Sequence, residues 1–252
     1  MQMGTESTEP KVLLIGDSHA QASYYGLNKL CEDLNVPGVY LASIILPYWD
    51  RYHYLGETYF YNREKAEALI KWLEANPCIT HVIISQFWRA RLEVDEYIHW
   101  DNKREKMTED LYFNSLREFL QRIKKLNRHV ILVGPGPEIK DNALCRSIRL
   151  GARKGNSNIN LAPISCTRED IIQLNKHITP MLMQLQKENL CTVLDTFGYI
   201  PEDKPFVAYK NGIFLMSDDD HMTGAGSTEL YQYLKPQLEK ALQQSMPVTE
   251  TP

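Results

Sequence analysis

The stretch Val12-Leu13-Leu14-Ile15-Gly16-Asp17-Ser18-His19 decides the fold. Its first four residues are an unbroken apolar run, the pattern of a strand buried on both faces, and Gly16-Asp17 supplies turn chemistry. From His19 the apolar spacing changes to a helical period that continues to Leu34. A buried strand that feeds at once into a helix is the opening half of a β-α-β unit.

The same rhythm continues outward from that unit. Further strands are predicted at Val39 to Ile45, His81 to Ser85, His129 to Gly134 and Cys191 to Thr196. Helices are predicted at Arg63 to Glu74, Glu109 to Leu126, Arg168 to Glu188 and Ala225 to Gln243. Thr167-Arg168-Glu169-Asp170 sets a hydroxyl three residues ahead of a carboxylate, the signature of a capped helix start. This alternation predicts an α/β domain: a flavodoxin-like three-layer α/β/α sandwich around a mostly parallel five-stranded sheet in the order 2-1-3-4-5. Ligands of such sheets sit beyond the carboxyl ends of the strands, beside the first one. Ser18 stands at that edge.

Three segments break the rhythm and are expected to be loops. Leu46 to Asn62 and Gln86 to Thr108 are rich in aromatic residues, and Pro135 to Cys166 in glycine and asparagine. Residues 1–10 read as a flexible lead-in, 11–243 as a single domain and 244–252 as a flexible tail.

With 252 residues the chain can bury one sizeable core. A net charge of -4 gives no global electrostatic reason to bind nucleic acid or an anionic membrane. No apolar stretch has the length of a membrane span, and the polar Met1 to Pro10 is not a signal peptide. The five cysteines lack C-x-x-C spacing. His53, His81, His99, His129 and His177 lack metal-ligand spacing. Neither a metal nor an organic cofactor is expected. Cys145 and Cys166 flank the Gly/Asn-rich segment, where a disulfide in an oxidising compartment and two free thiols are both open readings.

Asp218-Asp219-Asp220-His221 lies near the other end of the chain. A histidine with a carboxylate three residues upstream lets one short turn carry a base and the group that orients it. With Ser18, the set Ser18, His221 and Asp218 supplies a nucleophile, a base and an orienter. The amide of Ser18, at a helix start where backbone N–H groups are unpaired, is an expected oxyanion donor. Asp17 is assigned to bracing the turn. His19 diverges from its neighbour Ser18 on the helix and is read as a packing or substrate contact, while Asp219 and Asp220 are read as solvent-facing or as positioning the loop.

Gly16-Asp17-Ser18-His19-Ala20 together with Ser217-Asp218-Asp219-Asp220-His221-Met222-Thr223 resembles the SGNH/GDSL hydrolase superfamily. The chain is most similar to the SGNH domain fused to acyltransferase-3-type membrane proteins. Val82-Ile83-Ile84 leading to Trp88, and Gly134-Pro135-Gly136-Pro137, match further blocks of that family in order. The resemblance implies a catalytic set of Ser18, Asp218 and His221, and O-acetylation of a cell-envelope glycan through an acyl-serine. It also implies an acyl donor delivered by a membrane acyltransferase domain, a glycan acceptor, and a periplasmic or extracytoplasmic location.

The chain departs from the wider superfamily in two respects. The oxyanion-donating glycine after strand two and the G-x-N-D block after strand three are absent, and no cysteine lies between Thr192 and His221. Replacement donors are expected from the amide near Ser43 and from a side chain of the Gln86 to Arg89 segment, with Gln86 and Trp88 as the candidates. Trp88 and one of Tyr48 or Trp49 are expected to line the acceptor groove, since pyranose faces stack on aromatic rings; the alternative is that these aromatics cover a sheet edge. Within enzymes the alternative to transfer is a carbohydrate or lipid esterase. Outside them it is a non-catalytic glycan-binding module. A flavodoxin-like electron carrier lacks its phosphate-cradling loop here.

Overall fold

The computed structural model describes residues 1–7, 9–41, 51–54, 57–60, 63–92, 96–98, 103–139 and 165–244. Its central sheet contains β1 (Gln2–Gly4), β2 (Val12–Gly16), β3 (Pro37–Leu41), β6 (His81–Ser85), β9 (His129–Val133) and β11 (Thr192–Leu194). A second sheet is built from β4 (Arg51–Tyr54), β5 (Glu57–Phe60), β7 (Glu96–Ile98) and β8 (Arg104–Glu105), and β10 (Ser165–Cys166) pairs with Phe206–Val207.

The central order is β1-β3-β2-β6-β9-β11. The five predicted strands therefore take the expected order, and all four pairings among them are parallel. The sixth strand corrects the reading of residues 1–10 as a flexible lead-in. Gln2, Met3 and Gly4 pair antiparallel with Val39, Gly38 and Pro37, and Met3 is buried. Three residues with one apolar centre are too few to show a period, so only the neighbouring edge of β3 reveals them as a strand. The tail from 245 onward lies outside the described residues.

Period-two alternation splits the sheet's side chains between two cores. Leu13, Ile15, Val82, Ile84, Val130 and Leu132 pack on one face with α2 (Arg63–Ala75), α3 (Glu109–Lys125) and the helix Ile178–Lys187. Val12, Leu14, Ile83 and Ile131 pack on the other with α1 (Ser18–Asp33) and the last helix, Gly224–Leu242. These are the three layers expected. Gly26 lets α1 and the last helix approach closely, since a Cβ there would lie 2.2 Å from the carbonyl oxygen of Ser227.

Three expectations need correction. The helix predicted over 168–188 is broken into Arg168–Leu174 and Ile178–Lys187. Pro180 has no N–H to give and its ring clashes with the carbonyl four residues back, so one continuous helix is excluded. The capping arrangement at Thr167 and Asp170 does form, with both reciprocal bonds. Second, the aromatic segments expected as loops contribute the four-stranded antiparallel sheet, in which Arg51 pairs with Phe60 and Tyr54 with Glu57. Aromatic residues suit a pleated surface, and that propensity outweighed their irregular spacing. Third, β11 stops at Leu194, short of Thr196. This edge strand is protected by side chains: Val193 donates to Gln186 at 2.7 Å and Asp195 to Gln237 at 2.8 Å.

Candidate active site

At the carboxyl end of β2 the chain turns sharply into α1. Gly16 makes the turn at φ +148, and Asp17 caps the helix. One Asp17 oxygen accepts from the amide of His19 at 2.9 Å and the other from the amide of Phe87 at 3.0 Å. Asp17 thus ties the ends of β2 and β6 together, the bracing role expected of it. Ser18 follows as the first, exposed residue of the helix, among N–H groups that a helix cannot pair internally.

The second part of the site is a loop closed on itself. Met216 and Met222 form a β-bridge, Ser217 donates to the carbonyl of His221 at 2.6 Å, and Thr223 donates to the carbonyl of Leu215 at 2.9 Å. Asp218 Oδ1 accepts from the amide of His221 at 2.8 Å and that of Asp220 at 3.3 Å. Leu215 and Met216 root the loop in a third apolar cluster with Ile139, Ile171, Ile200 and Phe206. Ile139 also donates to the carbonyl of Asp219 at 2.6 Å, docking the segment after β9 onto the loop. Beside it, the buried Glu138 takes a 2.7 Å ion pair from Arg89.

These parts bring residues 203 positions apart into contact: His221 Nε2 lies 2.6 Å from Ser18 Oγ. On the other side of the ring, Nδ1 lies 2.9 Å from Asp218 Oδ1 and 2.8 Å from Asp220 Oδ1. Ionised carboxylates only accept, so Nδ1 carries the hydrogen and the lone pair of the neutral ring sits on Nε2, facing the serine. The second oxygen of Asp220 accepts from His19 Nε2 at 3.3 Å. The His19 ring stacks on Phe87 at 5.0 Å and 10°.

The electrostatics follow from this crowding. The hydrogen bond to Asp220 raises His221 to about 9; burial opposes the shift, and the charges of Asp220 and Asp218 add to it. Burial alone would push the Asp220 carboxyl up, but hydrogen bonds from His19 and His221, and their charges, hold it well below the usual carboxylate range. The two carboxylates thus favour the imidazolium, and the neutral ring that can accept the serine proton is gained as pH rises toward about 9. Ring atoms of His19 and His221 and a carboxylate oxygen of Asp220 all lie within 4.8 Å of one another. Both rings already aim at Asp220 at hydrogen-bond distance, so the set reads as a closed hydrogen-bonded cluster.

Ser18, Asp218 and His221 come together, joined by Asp220, whereas among the described residues Trp88 and Gln86 do not join them. Asp220 is not solvent-facing, since its side chain is only 16% exposed and it bridges two imidazoles. Trp88 does not line a groove: it is 1% exposed, packed in the core against α2 and α3, and its indole donates to the carbonyl of Val133 at 2.7 Å. Gln86 is also buried, with its amide donating to the Tyr112 hydroxyl at 3.2 Å. Both side-chain donors expected for the oxyanion are therefore committed to the interior. Ser43, Tyr48, Trp49 and Cys145 lie outside the described residues. The sequence reading missed the partnership of Asp220 with His19. Its one available signal was that both stand beside the residues already chosen.

A family model described as the SGNH domain (fused to AT3 domains) matches residues 2–236. A search by sequence among curated proteins finds no match. Among solved structures, the chain is similar to the periplasmic domain of a lipopolysaccharide acetyltransferase of Salmonella ser. Paratyphi A. The two are 15% identical with a TM-score of 0.59, over 92% of this chain and 85% of that one. It is also similar to the psychrotrophic esterase EstA of Pseudoalteromonas sp., 15% identical with a TM-score of 0.50, over 93% of this chain and 99% of that one. Likeness at these identities establishes the shared fold. Among the described residues no helix is long and apolar enough to cross a membrane.

Proposed function

The chain belongs to the family of SGNH domains fused to AT3 domains, and from that premise we propose that it transfers an acyl group through an ester on Ser18. The observation that carries the reading is the 2.6 Å contact between His221 Nε2 and Ser18 Oγ, at the helix start that follows the first buried strand.

In the first half-reaction neutral His221 takes the serine proton on Nε2 while Ser18 Oγ bonds to the carbonyl carbon of the donor ester. Negative charge gathers on the carbonyl oxygen, near the positive end of α1 and the Ser18 amide. The bond to the donor's alcohol oxygen then breaks, and that oxygen leaves with the proton from Nε2. In the second half-reaction an acceptor hydroxyl gives its proton to Nε2 and takes the acyl group, and Ser18 recovers its hydrogen. Asp218 holds the Nδ1–H throughout. The acceptor is a glycan hydroxyl of the cell envelope. The donor is handed over by a membrane acyltransferase domain, with the chain on the extracytoplasmic side. Support for this finer reading comes from the family's fusion to AT3 domains and from the fold shared with the Salmonella periplasmic domain.

Hydrolysis is the second reading, favoured by the exposure of Ser18, which leaves an acyl-serine open to water. The two part in one assay. With p-nitrophenyl acetate as donor and cell-envelope oligosaccharides as acceptors, transfer predicts faster nitrophenol release on adding acceptor and a sugar that gains one acetyl group. Release unchanged by every acceptor, with acetate as the sole product, assigns the chain to hydrolysis.

A further inference from the structure

His221 differs from a base with a single orienting acid. Its Nδ1 faces two carboxylates at nearly equal distance, 2.9 Å to Asp218 and 2.8 Å to Asp220. They are held in different ways. Asp218 is fixed by two amides of its own loop, and its grip depends on the local turn. Asp220 is gripped from another element, by His19 of α1, whose ring is in turn clamped against Phe87 at the end of β6. The guanidinium of Arg89 lies 5.1 Å from the Phe87 ring.

We propose that Asp220, held by His19, is a second orienting carboxylate for His221, so that two acids anchored in different parts of the fold position the base. This rests on the reading of Ser18 and His221 as nucleophile and base. Asp220 and His19 are positioning residues, acting on the reacting atoms only through His221.

The pair has a chemical consequence. A neutral imidazole satisfies one acceptor with its Nδ1–H, whereas two flanking carboxylates favour the imidazolium. Asp220 and Asp218 are the charges that raise His221. Of the other acids nearby, Asp17 accepts from the amides of His19 and Phe87 and Glu138 from Arg89, while a carboxylate oxygen of Asp219 lies within 4.8 Å of those of Asp218 and Asp220. His19 faces His221 at 4.9 Å between ring centres and reaches Asp220. Acylation needs the neutral ring, so its rate rises with pH toward about 9. Removing Asp220 must move that rise to lower pH.

The test is the pH profile of kcat/KM for p-nitrophenyl acetate in wild type, Asp218→Asn, Asp220→Asn and the double variant. The expected result is a rising limb displaced downward by about one pH unit or more in Asp220→Asn, since one unit corresponds to a modest change of charge interaction. Asp218→Asn alone should lose far less than the roughly 10⁴-fold expected when a base loses its sole carboxylate, and the double variant should reach that loss. His19→Gln, which keeps a donor, should hold the wild-type profile, and His19→Phe, which keeps only the stack, should depart from it. An Asp220→Asn profile superimposed on wild type, or Asp218→Asn as severe as the double variant, overturns the proposal. Should Asp220→Asn fail to fold, ¹⁵N titration of His221 in Asp218→Asn decides: a midpoint still well above the ordinary 6.5 supports the second acid, and one near 6.5 refutes it. The premise fails separately, through retained activity in Ser18→Ala.

Discussion

Replacing Ser18 by alanine is expected to lower ester cleavage and acyl transfer by about 10⁴- to 10⁶-fold, the range seen when one member of a catalytic triad is removed. The size of the loss follows from what Ser18 touches. Its side chain is exposed and its hydroxyl meets His221, at 2.6 Å. On the proposed mechanism alanine removes the oxygen that forms the covalent ester and leaves His221 without its 2.6 Å partner. Stability should barely change, because surface substitutions away from packed features stay within about 0.5 kcal/mol. A kinetic collapse with an unmoved denaturation midpoint is the signature of a residue serving chemistry alone. Parallel loss of both would place Ser18 in the scaffold.

Gly16→Ala is expected to act in the opposite way, by damaging the frame. Gly16 has φ +148, a region L side chains rarely adopt. A Cβ there would lie 1.7 Å from the carbonyl oxygen of Ser85 and 2.9 Å from the Cβ of Ala20. Ser85 is the residue paired with Gly16 across β2 and β6, so the backbone obstacle belongs to the core of the sheet. Relief requires separating two central strands or lifting α1 away from β2. The cost should be about 4 kcal/mol or more, at the exceptional end for a single substitution. The expected observation is a chain that fails to accumulate in folded form, or one that melts far below wild type. A variant as stable as wild type would mean that the turn between β2 and α1 does not press Gly16 against the Ser85 carbonyl.

The sheet was legible because its five parallel strands are near-continuous apolar runs. Val12 to Ile15 and Val82 to Ile84 read as buried on both faces wherever they occur. The proposed nucleophile and base, Ser18 and His221, could be picked out because each sits at a fixed offset from such a run or from its own carboxylate, and the fold sets them 2.6 Å apart. Asp220 was not, since three consecutive aspartates are equivalent in sequence and only the turn selects which of them point at the imidazole. Trp88 misled for a related reason. A tryptophan at a strand end reads equally as a platform or as core, and the carbonyl that accepts its N–H, Val133, is 45 residues away. Pro180 is different: a proline inside the predicted helix is itself a break signal, and the apolar period around it hides that signal. The strand Gln2–Gly4 was beyond reach, because an edge strand this short exists only through its partner.

The most direct test of the central claim is covalent. A fluorophosphonate reacts with a serine that an adjacent base has activated, and peptide mass spectrometry locates the adduct. The prediction is a single adduct on the peptide carrying Ser18, forming faster as pH rises through the His221 titration and absent in Ser18→Ala. Intact, folded protein that takes no adduct at Ser18 on either side of that titration would contradict it.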